Sequence, residues 1–213
     1  MMDNWSFFVF AFSSLFTIVN PFSAATMFLT ITKHDDKKKR LRMAFRASVT
    51  CAIALLLFAF AGHGILNFFG ITVDAFRIAG GVLITKVGLE MIRNKERHLR
   101  TDEAKKEAME KDDVSIVPLA IPMLSGPGAI TTAIVLMQQA SGGQQITLLA
   151  SAIIITSTLA FFILSQSTRL AKALGQNGVN VLERIMGLLV LVIGIQFFIN
   201  GAHGVLLSWG ILV

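Results

Sequence analysis

Charge is scarce in this sequence. Only 15% of its 213 residues are Asp, Glu, Lys or Arg, 54% are hydrophobic, and the mean hydropathy is +0.69. A soluble domain of this size cannot be coated with so little polar surface, so composition excludes one and points to an integral membrane protein. Cysteine is nearly absent too: Cys51 stands alone in an apolar stretch, which excludes an intrachain disulfide and leaves a small packing residue. No basic run precedes the first apolar segment, Met1-Met2-Asp3-Asn4-Trp5, so that segment is expected to be a mature span and not a cleavable signal. HExxH, CxxC, GxSxG and P-loop patterns are missing, and with them the familiar protease, redox, hydrolase and nucleotide-binding signatures. His63 and His203 are scattered beside glycines and give no metal-ligand spacing. Neither an enzyme nor a cofactor is expected.

What is present is a series of long apolar runs rich in Phe, Leu, Ile, Ala and Gly, which reads as helices and not as the alternating strands of a barrel. Six spans are expected, at about 5–32, 43–69, 73–92, 114–139, 144–167 and 179–200, with a short apolar tail to 213. The segment 93–113 holds seven basic and seven acidic residues and reads as a solvated linker between a first unit, 1–92, and a second, 114–213. Net charge is +6, but the basic residues sit between spans, which argues for membrane orientation and against a nucleic-acid partner. The segments after spans 1, 3 and 5 carry seven, seven and three of the 19 Lys and Arg residues, and only Arg77 and Lys86 lie elsewhere. Those three segments are therefore expected on the cytoplasmic side, with both termini outside.

Proline is confined to two spans, and there it breaks helices. Val19-Asn20-Pro21-Phe22-Ser23 interrupts the first. Leu124-Ser125-Gly126-Pro127-Gly128 interrupts the fourth, which also holds Pro118 and Pro122. A shift of 106 residues places Pro21 on Pro127, Thr26 on Thr132, Gly81 on Gly187 and Gly88 on Gly194. Three spans per half is an odd number, so the halves must be inverted, which is the plan of many secondary transporters with sites at broken helices near the midplane. Asn20 caps free amides and Pro21 occupies a first helical position; Ser125, Gly126 and Pro127 follow the same logic. Each second half-helix would then start inside the membrane with about half a positive charge at its end, attractive to a carboxylate or phosphate. The expected substrate-binding residues are Asn20, Pro21, Phe22, Ser23, Thr26, Ser125, Gly126, Pro127, Gly128, Ala129 and Thr132, with Phe22 and Phe28 as apolar walls. The competing reading is a pair of packing kinks, with Thr131 and Thr132 bonded to their own helix. Lys86 and Glu90 are spaced to pair on one helix face, as a structural ion pair or as a site for a coupling sodium ion or proton. Asp74 with Arg77, and Glu183 with Arg184, read as interfacial anchors or intrahelical pairs. The four glycines of the repeat read as close helix packing.

The segments Asn20-Pro21-Phe22-Ser23, Phe76-Arg77-Ile78-Ala79-Gly80-Gly81, Val117-Pro118-Leu119-Ala120-Ile121-Pro122, Ser125-Gly126-Pro127-Gly128-Ala129-Ile130, and Gly178-Val179-Asn180 with Glu183-Arg184-Ile185-Met186-Gly187 resemble the MarC family of bacterial and archaeal membrane proteins, in order and over nearly the whole chain. That resemblance implies six helices in two inverted three-helix repeats in the cytoplasmic membrane, a place in the lysine-exporter superfamily, and transport of small neutral amino acids such as glycine and alanine. The sequence departs from the common first motif, with Ser23 where a Gly often stands and Thr26 where a Pro often stands. The leading expectation is a secondary transporter of small carboxylate-bearing solutes in contact with the lipid bilayer. The alternatives are a lipid-phosphate flippase or membrane phosphatase, and a scaffold without substrate.

Overall fold

A computed structural model describes residues 3–33, 35–93 and 124–211. The expected linker at 93–113 lies outside the described residues beyond Arg93, as do Pro118 and Pro122. Among the described residues the protein is all-helical. Seven helices follow in order there: α1 Asn4–Val19, α2 Pro21–Ile31, α3 Lys37–Phe68, α4 Val73–Arg93, α5 Pro127–Gln139, α6 Gly142–Ser165 and α7 Ser167–Ser208.

Four of the described stretches are long and apolar enough to cross a membrane: Asn4–Ile31 (α1 and α2 together), Lys37–Phe68, Gly142–Ser165 and Asn177–Ser208. Their outward faces are greasy. Phe45, Ile53, Leu57 and Phe60 on α3, Ile154 and Phe162 on α6, and Val181, Leu188, Val192 and Ile199 on α7 are all exposed. Apolar surface on that scale belongs in lipid. The helix α4 is shorter and carries Asp74, Arg77, Lys86, Glu90 and Arg93, so it is not among the four on composition.

Side-chain chemistry sets the helix ends. Asp3 caps α1 by accepting from the Ser6 amide, and Asp36 caps α3 by accepting from the Lys39 amide at 2.9 Å. The helix α3 thus begins inside the basic segment, ahead of the expected span start at residue 43. At Gly175 the backbone leaves the helical region (φ 61°, ψ 179°), so α7 is two helices meeting at one residue. The expected turn at 175–178 is concentrated there, at a residue that tolerates positive φ. The expected tail after residue 200 is instead helical to Ser208, because Gly201 and Gly204 let α7 close onto the start of α4 at Asp74 and Ile78.

Two buried cores lie side by side. The larger joins α1, α2, α3, α5 and α6 through Phe7, Leu15, Phe28, Leu55, Leu136, Leu149 and Ile153. Small residues, Ala44, Ala47 and Cys51 on α3 with Ala152 and Ala160 on α6, contribute to it. The smaller core joins α4, α5 and α7 through Ile84, Val135, Val190 and Phe197. Ile18 packs against both.

The α4–α7 contact is the most extensive among the described helices. A Cβ on Gly81 would lie 2.7 Å from the Gly194 carbonyl oxygen, and one on Gly88 would lie 2.9 Å from that of Gly187. Both backbones meet where neither has a side chain, which is how membrane helices gain dispersion contact. Gly81 and Gly88 stand 106 residues before Gly187 and Gly194, so the shift that overlays the sequence halves exchanges the two contacts.

Arg40, in the first turn of α3, ties the start of α7 to this frame. Its guanidinium donates to Ser167 Oγ (3.2 Å) and Thr168 Oγ1 (2.9 Å) and stands 5.9 Å from the Phe28 ring centroid. Arg40→Ala should lower stability by about 1 kcal/mol, since the group is partly hydrated, and Arg40→Lys should recover only part of that loss, because an ammonium lacks the planar fork. Thermal unfolding in detergent checks both.

Candidate functional site

The first break is made by one residue. Asn20 adopts the left-handed conformation (φ 46°, ψ 65°), the one non-glycine residue among those described with positive φ. Asn tolerates that region because its short side chain bonds locally. Its amide donates to the Phe16 carbonyl, closing α1, while its Oδ1 accepts from the Ser23 amide at 3.4 Å, opening α2. Pro21 is the first residue of α2 and has no amide to satisfy. The Ala24 amide already bonds the Asn20 carbonyl at 3.2 Å. Phe22 supplies the remaining amide of that first turn. The expected open helix end is thus largely closed by Asn20 itself.

The second break is built differently. Gly126 is the N-cap of α5 and makes no side-chain bond to it; Pro127 again has no amide. The first helical bond runs from the Ile130 amide to the Gly126 carbonyl at 3.1 Å. The amides of Gly128 and Ala129 therefore start this helix without the capping side chain that Asn20 gives α2. Ser125 is buried at 1% exposure.

The two breaks meet. A Cβ on Gly128 would lie 3.4 Å from Ile18 Cγ2 and 3.2 Å from Ile84 Cγ1, so the side chain two residues before Asn20 rests against the first turn of α5. Val19, Ala24, Leu124 and Ala129 belong to one buried cluster. On the far side of Asn20, its Nδ2 points to Met91 Sδ at 3.8 Å.

Glu183 differs most from its expected place. An interfacial anchor or an intrahelical pair is what the sequence predicts for it; the structure encloses it against another helix. Glu183 is 4% exposed, and its Oε1 accepts from Ser23 Oγ at 3.1 Å, across from α7 to the first turn of α2. The available signal was its isolation as the one acidic residue between 177 and 208, since ionisable groups inside spans are costly and tend to be functional.

The other expected site residues fall as follows. Thr26 Oγ1 donates to the Ser23 carbonyl (2.7 Å) and Thr132 Oγ1 to the Gly128 carbonyl (2.8 Å), so both hydroxyls bond their own helices. Phe22 stacks edge-on against Phe16, with centroids 5.9 Å apart, and lines the break. Phe28 does not; it is buried under Arg40 at the other end of α2. Lys86 and Glu90 stand 3.8 Å apart as the spacing predicts, with Lys86 at 74% exposure and Glu90 at 14%. Asp74 and Arg77 pair at 3.0 Å.

Comparison with known proteins settles the kinship. The profile of the MarC family of integral membrane proteins matches residues 5–206. The chain belongs to the MarC family. It is 37% identical over 204 residues to the UPF0056 membrane protein MJ1677 of Methanocaldococcus jannaschii, covering 94% of this chain and 98% of the relative. It is 34% identical over 200 residues to a UPF0056 membrane protein of Aquifex aeolicus (93% and 94%), and 33% identical over 195 residues to the UPF0056 membrane protein YhcE of Escherichia coli (91% of each). No solved structure matches the chain. This MarC protein is thus an integral membrane protein of a family found in bacteria and archaea, with its two helix breaks packed against each other.

Proposed function

We propose that this MarC protein is a secondary transporter of small neutral amino acids, bound where the two broken helices meet. The observation that carries the reading is the proximity of Ile18 to Gly128, which brings two helix ends from opposite halves of the chain beside each other, as a transporter site at broken helices requires. On this reading the six spans form two inverted three-helix repeats in the cytoplasmic membrane, with both termini outside. The exchange of Gly81·Gly194 with Gly88·Gly187 under the 106-residue shift supports that symmetry. The protein is not an enzyme on this account, and a sodium ion, a proton or the substrate gradient alone drives the movement.

A lipid-phosphate ligand is the rival with the same attraction to helix ends. Turnover of a lipid phosphate by the reconstituted protein, without amino-acid uptake, would favour this rival. Purified protein in liposomes should take up labelled alanine, glycine and serine at rates well above protein-free vesicles, under a sodium gradient, a proton gradient or counterflow. No uptake under any of the three conditions would sink the transport reading.

A further inference from the structure

We propose that the seam between α3 and α6, at the end of the bundle where α7 begins, binds an anionic phospholipid, with its phosphate on Lys38, Arg42 and Arg169 and its acyl chains along Phe45 and Phe162. The proposal needs only that the protein is embedded in a membrane, and it is independent of the transport reading.

Two contacts bring these parts together. Phe45 on α3 meets Phe161 on α6 edge-on, with ring centroids 5.9 Å apart, and Arg40 bonds Thr168 at 2.9 Å. The first turn of α3 and the start of α7 therefore lie at one level, next to the meeting of the two rings. On α3, Lys38, Leu41, Arg42 and Phe45 are spaced i, i+3, i+4 and i+7, which sets them in one stripe, and all four are exposed. Arg169 follows Thr168 in the chain and is exposed as well. Phe162, also exposed, stands 5.5 Å from Phe161 between centroids and extends the apolar wall on α6.

The charge here has one sign. The helix α3 has no acidic residue along its length and α7 has none before Glu183, whereas 37–46 holds six Lys and Arg residues and 167–172 holds two. Asp35 and Asp36, just ahead of α3, both engage Lys39, one at its ammonium at 2.8 Å and the other at its amide. The apolar stripe beside the cations decides the occupant. A soluble anion gains nothing from Leu41, Phe45 and Phe162, and a lipid of zero net charge gains little from a cluster of cations. A phospholipid with a net negative head matches both, since long basic side chains reach a phosphate while their stems cover hydrocarbon. The opposite end of the bundle, where Asn4 bonds Gln144, lacks this pairing. Trp5, Phe68 and Trp209 are exposed there, and among the described residues its one Lys or Arg is Arg77, bonded to Asp74.

The two tryptophans make a local test possible, because both lie at that opposite end. The full chain carrying Trp5→Phe, Trp209→Phe and Phe45→Trp reports from the seam alone. In vesicles of mixed phosphatidylcholine and phosphatidylglycerol, with one or the other brominated, quenching of that tryptophan should show phosphatidylglycerol preferred by at least about fivefold, the effect of roughly one basic residue near an anionic head. Adding Lys38→Gln, Arg42→Gln and Arg169→Gln should bring the two lipids to about equal quenching, and Trp5 and Trp209 in wild type should show no preference. Phe162→Trp reads the same seam from α6 if the Phe45→Trp protein does not fold. Equal quenching at the seam overturns the proposal, as does a preference that survives loss of the three cations. The same preference at Trp5 and Trp209 would mean a general attraction to a basic protein and would overturn it too. If inorganic phosphate at constant ionic strength abolishes the preference, the patch belongs to a soluble anion and the lipid assignment fails.

Discussion

Gly88→Ala is expected to destabilise the protein by about 2–3 kcal/mol, the upper part of the range for overpacking a well-filled contact. The added Cβ would lie 2.5 Å from the Leu191 amide nitrogen, 2.7 Å from Leu191 Cα and 2.9 Å from the Gly187 carbonyl oxygen. All three are backbone atoms, so no rotamer change relieves the clash and one helix has to move off the other. Gly64→Ala is the matched control. Gly64 lies within α3, where an added Cβ would meet no atom inside 4 Å, and replacing a helical glycine there should gain about 0.5–1 kcal/mol. Unfolding in detergent, followed by circular dichroism, separates the two. A Gly88→Ala protein as stable as wild type would show that α4 and α7 do not cross this closely.

The second large effect is at Asn20. Asn20→Ala should cost about 2–3 kcal/mol, from about 1 kcal/mol for the lost cap on Ser23 and about 1–2 kcal/mol for a Cβ-bearing residue without a stabilising side chain at φ 46°. Asn20→Gly keeps the backbone and loses only the cap, so it should stay within about 0.5 kcal/mol of wild type. The ordering wild type, Gly, Ala is the diagnostic result. Equal stability of the Ala and Gly variants would mean that the left-handed turn is not maintained in the membrane.

Much of this architecture was legible because its causes are local. Pro21 and Pro127 break helices wherever they stand, and Asn20 is a good cap in any setting, so both breaks fell where the residues put them. Membrane insertion followed from composition. The glycine spacing implied close packing, although only the folded chain reveals that Gly81 meets Gly194 and Gly88 meets Gly187. Other features depend on contacts between distant segments. The burial of Glu183 is decided by α7 lying on α2, 160 residues away in the chain; its isolation as an acidic residue within a span hints that it is enclosed but not by which helix. The continuation of α7 to Ser208 was hidden because Gly201 and Gly204 look like a helix end, yet each is a seat for the start of α4. The difference between the two breaks was equally hidden: Gly126 fills the cap position without a side chain, so symmetry in the sequence produced asymmetry in the capping.

Asn20 closes one helix and opens the next within a single residue, and this limits the range of the field around it. The carbonyl end of α1, about half a negative charge, abuts the amide end of α2, about half a positive one. A few ångströms away the two nearly cancel. The break therefore exerts little pull on an anion from a distance, and its polarity is felt only by groups in direct contact with it.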